Sequence, residues 1–146
     1  MQLKTRRFRR GSAVMEAALV LPVLITLTMG AMEFGYFFYV KHTLQGAARE
    51  GARAAITPSA TSSDVTTAVT NSMRAAGFTD TSKYTVSTLS ADGSTTVNPA
   101  TVTAGTGIQV RVSATWGNVG ISALGPISPL KTNKSVVGQT VMRKEG

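Results

Sequence analysis

Arg9-Arg10-Gly11-Ser12-Ala13-Val14-Met15-Glu16, running straight into the apolar stretch that opens at Ala17, decides how this chain is read. Positive charge stops at a small residue, one carboxylate follows five residues later, and Ala17 to Met32 then supplies 16 uncharged residues. With its semi-polar flanks the segment has about 25 residues. At about 1.5 Å of helical rise each they span roughly 38 Å, enough for a hydrocarbon core of about 30 Å. A carboxylate at the membrane end of such a segment costs several kcal/mol unless it gains a partner or a proton. Glu16 therefore asks for a partner. Glu33 ends the uncharged run and, by the same reasoning, lies near the outer interface or faces another protein. The cluster Phe34, Tyr36, Phe37, Phe38, Tyr39 suits the headgroup level, and Lys41 and His42 mark the return to water. Pro22 removes one helical hydrogen bond and crowds the carbonyl of Ala18, which predicts a kink or a locally melted turn.

The charge distribution gives the segment a direction. The 146-residue chain carries a net charge of +8. Lys4, Arg6, Arg7, Arg9 and Arg10 contribute +5 of it within the first ten residues, leaving +3 elsewhere. A basic run ahead of an apolar segment holds an N-terminus in the cytoplasm and sends the C-terminus outside. The same bias speaks against nucleic-acid binding, for which the cations would lie on a folded face. The chain has no cysteine, so disulfides and thiolate metal sites are excluded.

Beyond the membrane the helix is expected to continue. Thr43 to Ile56 is rich in strong helix formers until Thr57-Pro58 ends it. Leu44, Ala47, Ala48, Gly51, Ala52 and Ala55 recur at i, i+3, i+4, i+7, i+8 and i+11, forming one stripe. Its small residues allow a close approach, either by the chain's own domain, which is the plainer reading, or by a neighbouring helix. Arg49, Glu50 and Arg53 fall on another face. Pro58–Ser63 reads as a linker. Asp64 would cap a short amphipathic helix over Val65–Ala76, with Val65, Ala68, Val69, Met73 and Ala76 on its apolar face and Gly77 as its stop. The period then changes. Lys83–Ser90, Thr106–Trp116 and Ser135–Arg143 read as three strands separated by Gly, Pro, Asn and Asp breakers. The connection Gly117–Pro129 is turn-rich, and its Val119, Ile121, Leu124 and Ile127 suggest that it packs.

Residues with chemistry to offer do not converge. His42 is the one histidine and has no carboxylate at catalytic or metal spacing. Ser128-Pro129-Leu130-Lys131 matches an S-x-x-K pattern but sits in a turn-rich loop without companion motifs. Gly105-Thr106-Gly107 is too short for a phosphate loop. Arg6-Arg7 is followed by no small-x-small export cleavage signal. Trp116 reads as a core residue. No catalytic residue, metal site or cofactor is expected.

Gly11 followed by an apolar helix with Glu16 five residues on resembles the class III (type IV-like) prepilin processing site. More specifically, Val14-Met15-Glu16-Ala17-Ala18-Leu19-Val20-Leu21-Pro22 and Ala47-Ala48-Arg49-Glu50-Gly51-Ala52-Arg53-Ala54-Ala55 resemble the TadE-like family of minor pilins and pseudopilins. The ending Val141-Met142-Arg143-Lys144-Glu145 is similar to that family's close. Flp major pilins carry Tyr after the Glu, whereas Ala17 stands here, which favours the minor-pilin branch. The resemblance implies that a prepilin peptidase cuts after Gly11 and frees Ser12. Glu16 would then pair with the Ser12 amine of a neighbouring subunit.

These readings together give an α+β protein, in which a long N-terminal transmembrane helix continues into a small pilin-like domain with a short second helix and an antiparallel sheet of about three strands. Residues 1–11 form a basic leader, 12–56 the transmembrane and extended helix, and 57–146 a small extracytoplasmic domain. The implied role is assembly of a type IVb/Flp (tight adherence) pilus. Its partners would be the membrane, the peptidase, other pilins or pseudopilins and the assembly platform, and its location the bacterial inner membrane or the pilus. The alternative is an uncleaved anchor presenting an extracytoplasmic binding module. Ala17, Pro22 and Met32 mark the span, and Ala48, Gly51, Ala52 and Ala55 the helix-packing stripe.

Overall fold

A computed structural model describes residues 7–121 and 130–146, with side chains from Gly11 onward. Its first element, α1, is one α-helix over Arg7–Ala55. It begins before Gly11, so the predicted leader boundary falls inside the helix rather than ahead of it. Pro22 does not melt it. The helix runs on through the proline, and two threonines nearby turn their hydroxyls inward. Thr26 Oγ1 donates to Pro22 O and Thr28 Oγ1 to Leu24 O, each at 2.8 Å. These bonds to the preceding turn leave no hydroxyl donor open on an apolar surface.

Two compact units divide the chain, and the division falls between Gly35 and Tyr36, within α1. In the first unit residues 11–29 are exposed throughout, including Val14, Leu19, Leu24 and Ile25. Glu33 is the exception. It is fully buried and has a partner within the protein.

The second unit starts from the outer part of α1. The stripe Leu44, Ala47, Ala48, Gly51, Ala52 and Ala55 is buried, together with Val40. Its small residues serve the chain's own domain: a Cβ on Gly51 would come within 2.6 Å of Val69 Cγ2 and 3.0 Å of Val110 Cγ1. Val69 belongs to α2, Ser62–Ala75, which buries Val65, Val69 and Met73. The cap of α2 is Thr61, not Asp64. Thr61 Oγ1 accepts the Asp64 N–H at 3.3 Å and the Asp64 carboxylate accepts the Thr61 N–H at 2.9 Å. This reciprocal capping box starts the helix inside the expected linker, where Ala60 is only 2 % exposed. Gly77 ends α2 as expected, at φ +87°, with the Phe78 N–H closing on Met73 O at 2.9 Å.

Three antiparallel strands follow in the order β1-β2-β3: β1 Tyr84–Ser90, β2 Gly107–Thr115 and β3 Ser135–Arg143. Val110 pairs with Thr88 and Thr140, and Val112 with Val86 and Gly138. The even-numbered residues of the three strands therefore share one face. Ile108, Val110, Val112, Ala114 and Val136 are buried there against the helices. Gly138 permits the closest approach, since a Cβ on it would lie 2.3 Å from the Leu44 carbonyl carbon. Period-2 alternation thus places one apolar face on the helices and leaves the other largely polar. After β2 a single helical turn, α3 (Trp116–Val119), buries Trp116 and Val119. Ile121 is 41 % exposed and does not pack as predicted. Leu124, Ile127 and Ser128 lie outside the described residues.

Candidate functional site

The candidate processing site lies near the start of α1. Gly11, Ser12 and Glu16 are all exposed, and nothing lies within 4 Å of a Cβ built on Gly11. Ser12 and Glu16 are four apart and hence neighbours on one helical face. The first turn of α1 holds no acidic residue, so in the intact chain Glu16 gains little from the helix dipole, which acts mainly over the first turn. A chain beginning at Ser12 would bring Glu16 within five residues of a free amine and of the helix's positive end.

Ala17, Pro22 and Met32 are exposed on the same segment. An 18-residue window within Gly11–Ala55 has mean hydropathy 1.9 and is 0 % buried, so the helix is long and apolar enough to cross a membrane. The stripe residues Ala48, Gly51, Ala52 and Ala55 are not brought to this site. They form the core beneath the sheet.

Elsewhere the three aspartates are held by nearby hydroxyls and backbone N–H groups. Asp64 is held below its ordinary value by the Thr61 hydroxyl and N–H, and Asp80 by the Ser82 hydroxyl and N–H. Asp92 is lowered to about 2 by the Ser90 hydroxyl first, then by the Ser94 hydroxyl and N–H. His42 is exposed. Trp116 is 2 % exposed, as a core residue should be, with its ring centroid 5.6 Å from Phe37 and 6.1 Å from Tyr36.

Two groups of residues with structural roles escaped the sequence reading. Lys41 Nζ donates to Val137 O, and Gln45 both donates to Gln139 O at 2.8 Å and accepts the Gln139 N–H at 3.2 Å. Together they occupy the free edge of β3. Lys144, only 5 % exposed, donates to Thr57 O at 2.8 Å and Pro99 O at 2.9 Å. A lone lysine in a strand-ending Arg-Lys-Glu gives no sequence signal of burial, because lysine is almost always exposed.

No curated protein and no solved structure matches the chain. The family model described as TadE-like protein matches residues 11–53, which begins at Gly11 and ends two residues short of the α1 terminus. By that match, the segment 11–53 is similar to the TadE-like family.

Proposed function

We propose that this protein is a minor pilin or pseudopilin acting in assembly of a tight-adherence (Flp) pilus. The observation that carries the reading is that the TadE-like match starts at Gly11, the residue preceding the freed amine, and runs along α1. Three further features support it. The inner part of α1 presents an apolar surface exposed all round, as a helix covered by lipid and neighbouring subunits would. Glu16 would be the fifth residue of a chain beginning at Ser12, where the dipole and an amine favour its charge. Gly11 weakens the helix at the scissile point by about 1 kcal/mol relative to alanine, easing the local unwinding that a peptidase needs.

The leader, residues 1–11, stays cytoplasmic and is removed by a prepilin peptidase. The unit beyond Tyr36 lies outside the inner membrane. Glu16 pairs with the Ser12 amine of an adjacent subunit and sets the axial register between helices, offsetting the desolvation of both charges. Its role is structural rather than catalytic.

Co-expression with a prepilin peptidase tests this. N-terminal sequencing should begin at Ser12, and Glu16→Ala should still be cleaved yet fail to assemble. An intact Met1 terminus, in cells that do process a known prepilin, would sink the processing claim and leave an uncleaved anchored binding module as the reading.

A further inference from the structure

The charges of the second unit are segregated by end. One end is where α1 enters. There Tyr36 and Phe37 pack on Trp116, Tyr39 stacks on Phe78 at 6.2 Å, and Tyr39 Oη donates to Ala76 O at 2.7 Å. Tyr84 pairs with Ala114, and Thr115 with Ser135. The C-terminal end of α2, the start of β1 and the start of β3 therefore share this level with Trp116. The Trp116 N–H donates to Lys134 O at 2.7 Å and the Lys134 N–H to Lys131 O at 3.0 Å. A cavity here is lined by Tyr36, Phe78, Asp80 and Lys83. The ionised groups at this end are Lys41, Arg74, Lys83, Lys131 and Lys134 against Asp80 alone, all exposed.

The opposite end is close to balanced. It holds the α1 terminus, the β1–β2 turn and the C-terminal tail, joined where the Glu145 N–H donates to Ile56 O at 2.9 Å. Arg49, Arg53, Arg143, Lys144 and Arg111, whose guanidinium reaches the turn at Gly93, stand against Glu50, Asp64, Asp92 and Glu145, an excess of one cation against four at the α1-entry end. About 20 residues of α1 separate the two ends, roughly 28 Å. That is well beyond the screening length of about 8 Å in physiological salt, so the cationic end acts as a separate patch.

The patch also carries apolar side chains. Phe38 is 55 % exposed, Tyr39 46 % and Ile121 41 %. Exposed aromatics interleaved with lysines suit the headgroup layer, where rings sit at the interface and ammonium groups reach phosphates. An acidic protein surface would match the charge but would leave Phe38 and Ile121 without an apolar counterpart.

We propose that the α1-entry end of this unit rests on anionic phospholipid headgroups of the leaflet from which α1 emerges, orienting the domain on the membrane surface. This goes beyond pilus assembly and takes from the preceding reading only the membrane span. Its test uses the full chain in lipid discs made either of phosphatidylcholine or with roughly 30 % phosphatidylglycerol. Lysines are labelled with an amine reagent and read by peptide mass spectrometry. Lys131 and Lys134 are expected to label about fivefold more slowly in the anionic discs, and to recover in about 1 M salt, where screening shrinks to roughly 3 Å. In the exposed double reversal K131E/K134E, with Trp116 near-ultraviolet dichroism confirming the fold, Lys41 and Lys83 should label at the phosphatidylcholine rate. Equal labelling of the unaltered chain in both discs would overturn the proposal. So would protection that persists in K131E/K134E, or that follows protein density instead of lipid charge, the mark of an acidic neighbouring chain. Discs that fail to hold the chain would remove the span and both readings, whereas equal labelling in loaded discs defeats the headgroup contact alone.

Discussion

Gly138 and Gly51 both sit in the core, but they differ in what surrounds them. A Cβ on Gly138 would press against the Leu44 backbone from 2.3 Å, and backbone cannot rotate away. G138A is expected to cost at least about 3 kcal/mol. On Gly51 the same atom meets the ends of Val69 and Val110, which can shift. Overpacking of about 1–3 kcal/mol is there offset by about 1 kcal/mol of gained helix propensity, so G51A should lose no more than about 2 kcal/mol. Denaturant unfolding of the two variants checks the order, and a reversed ranking would contradict the Gly138–Leu44 contact. A glycine within a strand does signal close approach of another backbone. What approaches Gly138 is set by a residue nearly a hundred positions away, so periodicity could not name it. Asp92 makes a prediction about pH. Its folded pKa of about 2 lies below the ordinary carboxylate value. Its contribution is therefore present above about pH 4 and is lost as pH falls toward about 2. D92N should melt below the parent protein at pH about 6 and converge with it near pH about 2, as followed by thermal denaturation across that range.

At the scale of elements, the decisive relation is between α1 and β3. A terminal strand offers unpaired N–H and C=O groups that invite another chain. Here the Gln45 amide bonds both the N–H and the carbonyl of Gln139, as a further strand would, and Lys41 takes Val137 O. Q45A removes these bonds and is expected to cost about 1–2 kcal/mol. It should also raise concentration-dependent association, measurable by light scattering; an unchanged association would mean that Lys41 alone guards the edge. The apolar stripe of α1 was readable because burial repeats along a helix, and β3 because its alternation is regular. Lys41 and Gln45 lie off the stripe and read as ordinary surface. Their purpose becomes visible only once β3 is known to be an edge strand, and strand order is not written in local pattern. The start of α2 was misplaced for a related reason. Thr61 and Asp64 are both plausible caps, and the reciprocal bond that selects Thr61 depends on the direction in which the preceding turn delivers the chain.

For the whole molecule, α1 is one helix in two settings. Its inner part is apolar and uncovered, and its outer part forms one wall of a folded unit. Composition showed that such a helix exists and roughly where it meets water. It did not show that the compact unit begins at Tyr36, because aromatic residues at a membrane exit and aromatic residues of a core have the same signature. The TadE-like match ends at residue 53, so what is shared with that family is the helix. The candidate processing site was legible because Gly11, Ser12 and Glu16 are local in sequence. The cationic end was not, since its lysines are scattered over α1 and the approaches to β1 and β3.

The ties at the chain's end have a consequence for biogenesis. Lys144 grips Thr57 and Pro99, and Glu145 bonds Ile56. The stripe of α1 thus waits for residues made some ninety positions later before it can be fully buried. During synthesis the Ala-rich outer face of that helix stays uncovered until the last strand has been made. Contacts so distant along the chain make folding slow. The interval before closure is when the nascent protein is open to holding factors, to proteolysis, and to capture by another chain's third strand.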